Sequence, residues 1–352
     1  MTTETIEQKL LGVTKTFHPL EAMLEVTTAC NASCAYCYMR QEPQHTDLST
    51  SDMFRVIDKL DEAGIMFLGL SGGEPFIRKD ILEILQYIFS KNIFKTTIIS
   101  NGTLMNDEHV RFMLKHKLFF SIMRFSVFSH VREVHDAYVG VPGAYDTIIA
   151  NALKLKAGGI PIIILLNVIQ ENLETFNESK KKFEAMGFIV LISFLKEINN
   201  RHLYSLLKAQ SSEEFFVKAF MELDHKDRIA HKEDFQKRTA LKEINPGLCN
   251  GLTASITVEA DGMLIPCASF RRKKIGSILQ GKSILQLLRE SKDVCEIRSV
   301  DKSKLDGCKT CKYTNACDLC LGLSYSEHED LYHRPEQFCN YINALRKTSD
   351  LL

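Results

Sequence analysis

Neither sign of charge is in excess in this 352-residue chain: Lys and Arg together number 44, as do Asp and Glu, for a formal net charge of zero. Without an excess there is no long-range field to gather phosphates, which argues against a nucleic-acid partner. Long apolar runs are also missing. The longest, Ile160 to Ile169, is broken by Pro161 and Asn167 and is too short to cross a bilayer, so no membrane association is expected. The first residues, Met1-Thr-Thr-Glu-Thr-Ile-Glu7, are acidic and polar and do not form a signal peptide. A cytoplasmic location follows, and in the cytosol disulfides are rare. There is no internal repeat and no low-complexity tract. The chain does have 45% hydrophobic residues, enough for one large domain plus a smaller one.

Against this background eleven cysteines stand out, too many for a cytosolic chain without a use for them. Cys30, Cys34 and Cys37 form a Cys-x3-Cys-x2-Cys run. Three thiolates in one loop can wrap three corners of a small iron cluster and leave the fourth open to a substrate or cofactor. Unligated thiols or a zinc knuckle are the alternatives, although structural zinc sites usually close with four ligands. Downstream, Phe67-Leu-Gly-Leu-Ser71-Gly-Gly-Glu74-Pro75 reads as an apolar strand running into a double glycine and a carboxylate. Glycine allows close backbone approach, and Glu74 can receive an ammonium group.

Together the two motifs resemble the radical S-adenosylmethionine (SAM) enzymes. The resemblance implies a 4Fe–4S cluster on Cys30, Cys34 and Cys37, with SAM on its open iron and contacts from Tyr36, Gly72, Gly73 and Glu74. It also implies an oxygen-sensitive, anaerobic activity.

From about residue 22 to 195 apolar strands alternate with amphipathic helices. Strands are predicted at Met23–Thr28, Met66–Leu70, Thr96–Ser100, Phe119–Val127, Pro161–Val168 and Ile189–Phe194. Helices are predicted near Ser51–Ala63, Asp80–Ser90, Asp107–Lys115, Ala144–Ala157 and Leu173–Ala185, with Ser51 and Asp107 at N-cap places. Six βα units mean a parallel sheet with right-handed crossovers. They fit a partial (β/α)6 TIM-like barrel, which the resemblance also implies. Chemistry in such barrels sits at the C-terminal strand ends, where both motifs fall. The expected organisation is an N-terminal extension over 1–21, a barrel over 22–196, a helical connector over 197–248 and a cysteine-rich domain over 249–352. The connector alternates acid and base, the mark of solvated helix faces.

Two further strand ends are polar. Asn101 follows the third strand and Ser126 lies near the end of the fourth, where the resemblance implies contacts to the SAM ribose and carboxylate. Polar turn caps are the plain alternative. The stretch from His135-Asp136 through Gly140-Val-Pro-Gly143-Ala-Tyr145 is similar to that of radical SAM enzymes acting on peptides. Many of these carry Arg just before the first glycine, bearing on the SAM carboxylate; here that place is Val139. His135 is expected to be structural.

The cysteines return at Cys249, Cys267, Cys295, Cys308, Cys311, Cys317, Cys320 and Cys339. Ser255–Glu259 and Met263–Pro266 read as a hairpin turned by Asp261-Gly262, which would bring Cys249 and Cys267 together. Spacing alone also allows a zinc ribbon from the last five. The order Cys-x12-Gly-x4-Cys, then Cys-x2-Cys-x5-Cys, then a lone Cys resembles the SPASM domain with its two auxiliary Fe–S clusters. The resemblance implies one cluster on Cys308, Cys311, Cys317 and Cys339 and another on Cys249, Cys267 and Cys320. The Cys317-x2-Cys320 spacing is one residue shorter than usual there. Cys295 is expected to be a buried thiol on a helix packed in the core.

The resemblance implies reductive cleavage of SAM to a 5′-deoxyadenosyl radical, fed by an external flavodoxin- or ferredoxin-type donor. Auxiliary clusters suit net oxidations, such as a carbon–carbon or thioether crosslink in a ribosomally made peptide. Formylglycine formation in a sulfatase is a second expectation, but Phe125-Ser-Val-Phe-Ser-His130 lacks the Ser-x-Asp-Gly-Pro stretch of those enzymes. A small-molecule substrate, such as a tetrapyrrole or sugar, is a third. Only about twenty residues precede the first strand, too few for a leader-gripping winged helix. The peptide's leader is therefore expected to be read by a separate binding protein or by the SPASM region.

Overall fold

A computed structural model of the chain describes residues 18–34, 37, 39, 47–93, 95–194, 211–240, 252, 254–317 and 319–350. Among them, nine strands form one sheet in the order β6-β5-β4-β3-β2-β1-β7-β8-β9. The first six are parallel neighbours in chain order: β1 (Glu21–Glu25), β2 (Phe67–Ser71), β3 (Lys95–Ser100), β4 (Phe120–Val127), β5 (Ile162–Val168) and β6 (Ile189–Phe194). The helices between them are α1 (Thr50–Glu62), α2 (Ile81–Phe89), α3 (Asp107–Lys115), α4 (Arg132–Val139), α5 (Ala144–Ala157) and α6 (Phe176–Ala185). This is the expected partial (β/α)6 barrel.

Local chemistry sets the boundaries. In α1, Met53, Val56, Ile57 and Leu60 recur at helical spacing and bury one face. Its N-cap is Ser49, whose Oγ accepts from Asp52 N at 3.1 Å, and α3 is capped by Asn106. Both lie before the predicted Ser51 and Asp107, because a capping oxygen must stand outside the first turn to reach its N–H groups. β1 ends three residues earlier than predicted. There the chain turns to Asp47, which accepts from Thr28 N at 2.9 Å, while Ala29 N donates to Thr27 Oγ1 at 3.0 Å. α6 begins at Phe176 rather than Leu173, since Asn172 Oδ1 accepts from Ile169 N at 2.9 Å and holds the preceding residues in a 3-10 turn.

The predicted connector is described over residues 211–240, as α7 (Glu213–Glu222) and α8 (His225–Thr239). The expected solvated face fits α8, which buries only Phe235. It does not fit α7, which buries Phe215, Phe216, Ala219 and Phe220. The hairpin is present, as β7 (Ser255–Val258) and β8 (Met263–Ile265), with Gly262 at φ +83° in its turn. β7 also lies parallel beside β1 and extends the barrel sheet, a pairing the sequence pattern did not announce. β9 (Gly276–Ser277), α9 (Ile284–Glu290), α10 (Lys292–Ser299), α11 (Leu321–His328) and α12 (Glu336–Asp350) complete the chain. Arg271 locks the two halves together: its guanidinium meets Glu25 of β1 at 2.6 and 3.0 Å and Glu259 at 3.1 Å, with all three side chains buried. Among the described residues no helix is long and apolar enough to cross a membrane.

Candidate active site

The loop after β1 carries Cys30, Cys34 and Cys37, half-buried and without disulfides. Cys37 N donates to Cys34 O at 3.3 Å, which closes a turn within the triplet. Cys30 Sγ accepts from Ala32 N at 3.4 Å and from Asn101 Nδ2 at 3.7 Å. Burial pushes the Cys30 thiol up, and the nearby charges of Glu74 and Cys37 add to this. A thiol in such surroundings becomes a thiolate comfortably only beside a cation, which suits a cationic metal cluster. The loop is clamped from α4, where Ser33 N donates to Val139 O at 2.8 Å.

The Gly-Gly-Glu turn after β2 packs straight onto this loop. Gly73 N donates to Thr27 O at 2.8 Å and Glu74 N to Ala29 O at 2.9 Å. A Cβ on Gly72 would stand 2.2 Å from Thr27 O, and one on Gly73 2.0 Å from Ala29 O. The glycines are thus required by the chain's own close approach, which holds Glu74 against the cysteine loop. Glu74 is completely buried, and its carboxylate accepts from Ser100 Oγ at 2.7 Å, Asn101 N at 2.7 Å and Phe76 N at 3.1 Å. Burial nevertheless raises its pKa to about 7, so the site favours the anion only when a cation arrives.

Of the other expected SAM contacts, Asn101 lies between Glu74 and Cys30 and also donates to Asn31 Oδ1 at 3.1 Å. Ser126 is half-buried on β4, in register with Leu165. Tyr36 lies outside the described residues. His135 is buried and structural, as expected: its Nδ1 accepts from Phe128 N at 3.3 Å, and burial lowers its pKa to about 4.

Four of the later cysteines share a wall. Cys308, Cys311, Cys317 and Cys339 line a cavity of about 140 Å³ together with Lys302 and Arg334. Lys302 Nζ donates to the carbonyls of Thr314 and Cys317, both at 2.8 Å, and so fixes the turn that carries Cys317. Burial pushes the Cys308 and Cys339 thiols up, and Arg334 pulls against it. Among the described residues no three Cys, His, Asp or Glu side chains converge tightly enough to chelate one ion. A four-thiol cavity flanked by two cations fits a larger cluster, whose cationic core carries a net negative charge once its thiolate ligands are counted. Cys267 opens the 3-10 turn at Ala268–Phe270, and Cys320 caps α11. Those two elements touch, since a Cβ on Gly322 would lie 2.4 Å from Ser269 Cβ. Cys249, the expected third ligand there, lies outside the described residues.

Cys295 corrects an expectation: it is exposed, because α10 turns Val294 and Ile297 inward and leaves Cys295 on the outer face. Cys295→Ala is accordingly expected to keep all iron. A loss of one cluster's iron, read by iron and sulfide assay, would count against this.

Sequence reasoning also missed a cavity of about 300 Å³ between the end of β6, α7, α8 and α12, lined by Phe194, Phe216, His231, Phe235 and Tyr341 among others. Phe338 lines both this cavity and the four-thiol one. The alternating charges of the connector hid its aromatic face.

Comparison with known proteins agrees with this geometry. Residues 24–183 match the Radical SAM superfamily, and residues 249–312 match SPASM, an iron–sulfur cluster-binding domain. The chain is 30% identical over 172 residues to the antilisterial bacteriocin subtilosin biosynthesis protein AlbA of Bacillus subtilis, covering 48% of this chain but only 38% of AlbA. It is 25% identical over 342 residues to the AdoMet-dependent heme synthase of Nitratidesulfovibrio vulgaris, covering 90% of this chain and 91% of that protein. The fold resembles native anSMEcpe with bound AdoMet at a TM-score of 0.71 and 17% identity, over 94% of this chain and 99% of that one. With the cysteine loop, the Gly-Gly-Glu turn and the four-thiol cavity each in place, the chain belongs to the radical SAM superfamily and carries a SPASM-type iron–sulfur domain.

Proposed function

We propose that this radical SAM enzyme matures a ribosomally made peptide by an oxidative step, such as a carbon–carbon or thioether crosslink. The observation that carries the reading is the aromatic cavity of about 300 Å³ beside the four-thiol cavity. Its size is at the low end for small-molecule sites and suits one or two peptide side chains better than a whole macrocycle. AlbA, named for making a bacteriocin, supports the same class.

In this proposal Cys30, Cys34 and Cys37 hold the SAM cluster. Glu74 receives the SAM amino group, while Tyr36, Gly72, Gly73, Asn101 and Ser126 line the rest of the SAM site. Cys308, Cys311, Cys317 and Cys339 hold one auxiliary cluster, and Cys249, Cys267 and Cys320 the other. The barrel spans 22–196, the connector 197–248 and the SPASM domain 249–352. When bound, the clusters and SAM supply hydrogen-atom abstraction from an unactivated C–H bond and a sink for the electron left over. The protein's own part is to orient and to exclude water. Glu74 fixes an ammonium, and the aromatic cavity desolvates the side chain to be oxidised. A flavodoxin- or ferredoxin-type donor, a separate leader-binding protein and a cytoplasmic setting belong to the same proposal.

A tetrapyrrole substrate is the second reading, favoured by the match to heme synthase over nearly the whole of both chains. The intact mass of a short peptide encoded beside this gene, after anaerobic incubation with reconstituted enzyme, SAM and reductant, separates the two. Loss of two hydrogens with matching 5′-deoxyadenosine is expected. An unchanged peptide, with SAM still slowly cleaved, overturns the peptide reading and makes a tetrapyrrole the next substrate to try.

A further inference from the structure

The apolar middle of the barrel contains a cation that no anion meets. Arg124 lies mid-strand on β4, in the run Phe120-Ser-Ile-Met-Arg-Phe-Ser-Val127. Met123, Phe125 and Val127 are wholly buried on one face of that strand. A Cβ on Gly102 would touch both Phe125 and Ile148 of α5, so this face is the helix-covered one. Ile122, Arg124 and Ser126 therefore occupy the inner, concave face, and all three are partly buried. The Arg124 Nε is buried without a hydrogen-bond partner, and no carboxylate of the described residues pairs with the guanidinium. Acidic groups of the sheet are engaged elsewhere. Glu74 stands beyond β3, in the turn after β2, and is held by Ser100 and Asn101. Glu25 on β1 and Glu259 both meet Arg271.

The neighbours of Arg124 on that face are aliphatic. It is in register with Ile99 of β3 on one side and Ile163 of β5 on the other, and Ile163 is in register with Ile189 of β6. One pleat further along, Ser126, Leu165 and Leu191 form a second row. Among the described residues β6 is the edge of the sheet, and Ile189 and Leu191 there are 54% and 44% exposed. An apolar strip thus runs from the open edge of the barrel to a guanidinium two strands in, a span of about 10 Å. Exposed aliphatic side chains and an unpaired, half-desolvated cation are both unfavourable in the empty protein. One kind of ligand relieves both: an apolar body ending in a carboxylate, which the planar guanidinium fork takes at two points.

We propose that Arg124 anchors a carboxylate of the substrate inside the barrel, with the substrate's apolar part laid along Ile163, Leu165, Ile189 and Leu191. Arg124 lies about 7 Å from Ser126 toward the N-terminal end of the strand, so this anchor is deeper in the barrel than the SAM contacts proposed above. An acidic residue of a peptide and a propionate of a tetrapyrrole offer the same group. The assignment rests on the radical SAM reading and stands under either reading of the substrate.

The test uses the full chain with clusters reconstituted and SAM bound, and measures affinities by equilibrium dialysis for two pairs of probes. One pair is the short peptide encoded beside this gene and a synthetic form with every carboxyl made an amide. The other is coproporphyrin III and its tetra-amide. Arg124→Met is expected to weaken the carboxylate form of one pair roughly tenfold or more, and to leave its amide form, SAM affinity and iron content unchanged. The pair that responds names the source of the carboxylate, so failure of the peptide reading shows as silence of the peptide pair alone. Without ligand, Arg124→Met is expected to melt at or above wild type, because an unpaired cation has been removed. A structural arginine would give a lower midpoint and weaken both members of a pair alike, and that result overturns the assignment. It is overturned equally by unchanged affinity for both carboxylate forms, by wild type holding neither of them, or by a loss of SAM affinity, which would put the residue on the cofactor. If Arg124→Met does not fold, Arg124→Lys carries the same comparison: weakening of the carboxylate form alone supports the anchor, and affinities equal to wild type refute it.

Discussion

Between pH 5 and 7 the affinity of the cluster-loaded protein for SAM is expected to fall roughly tenfold for each unit of acidification, and Glu74→Gln is expected to remove both the slope and most of the binding. The cause is the burial of Glu74, which lifts its pKa from 4.5 to about 7 despite three hydrogen-bond donors. An ammonium group binds the carboxylate form only, so below about pH 7 SAM must first displace a proton. The same shift acts on stability with the opposite sense. A carboxyl whose folded pKa lies above its unfolded value stabilises the fold fully below pH 4.5, and this contribution is lost as pH rises through about 7. At 1.36 kcal/mol per unit, the difference between the two limits is roughly 3 kcal/mol. Without SAM, the thermal midpoint should therefore drop from pH 5 to pH 8, and the Gln variant should show a flatter profile. SAM affinity indifferent to pH across this range would remove Glu74 from the amino-group contact.

The second large effect is steric. Gly73→Ala is expected to cost about 3 kcal/mol or more and to abolish cluster retention, read by iron content and by the cluster's visible absorbance. The new Cβ would stand 2.0 Å from Ala29 O and 2.5 Å from Ala29 C. Both are backbone atoms of the segment leading into Cys30, so no rotamer change can relieve the contact. The loop must back away, and the hydrogen bonds Gly73 N to Thr27 O and Glu74 N to Ala29 O go with it. Gly143→Ala is the fitting control. Gly143, unlike Gly73, has positive φ, at +76°, but a Cβ there meets nothing within 4 Å. Only the conformational penalty of about 1–2 kcal/mol applies, and iron should be retained. Full iron in Gly73→Ala would show that the two motifs do not depend on each other's backbone.

Both residues could be picked out from sequence, because each motif follows a strand with a clear apolar run, in a region where strand and helix periods alternate cleanly. Strand order followed from the same alternation, since consecutive parallel strands joined by helices have few ways to pack. The rest depends on contacts far apart in the chain. The parallel pairing of Ser255–Val258 with Glu21–Leu24 of β1 joins segments more than two hundred residues apart, and a four-residue strand carries no mark of its partner. Cys295 was misplaced because its helix is short, with Val294 just before it and Ile297 two residues after, so the period does not say which face turns inward. The aromatic face of α7 was masked by the charges around Phe215, Phe216 and Phe220.

The seam between β1 and β7 bears on how this protein can be taken apart. β1 has β2 on one side and β7 on the other, so it is an interior strand only while residues 255–258 are present. Removing the C-terminal half would bare its N–H and C=O groups as an open edge, a template for aggregation. It would also strand Glu25, which is buried and held by Arg271, as an unpaired anion in the interior. The auxiliary-cluster half is thus a wall of the barrel and not a detachable accessory. Chimeras that exchange C-terminal halves between relatives would have to carry the β7 strand and Arg271 together.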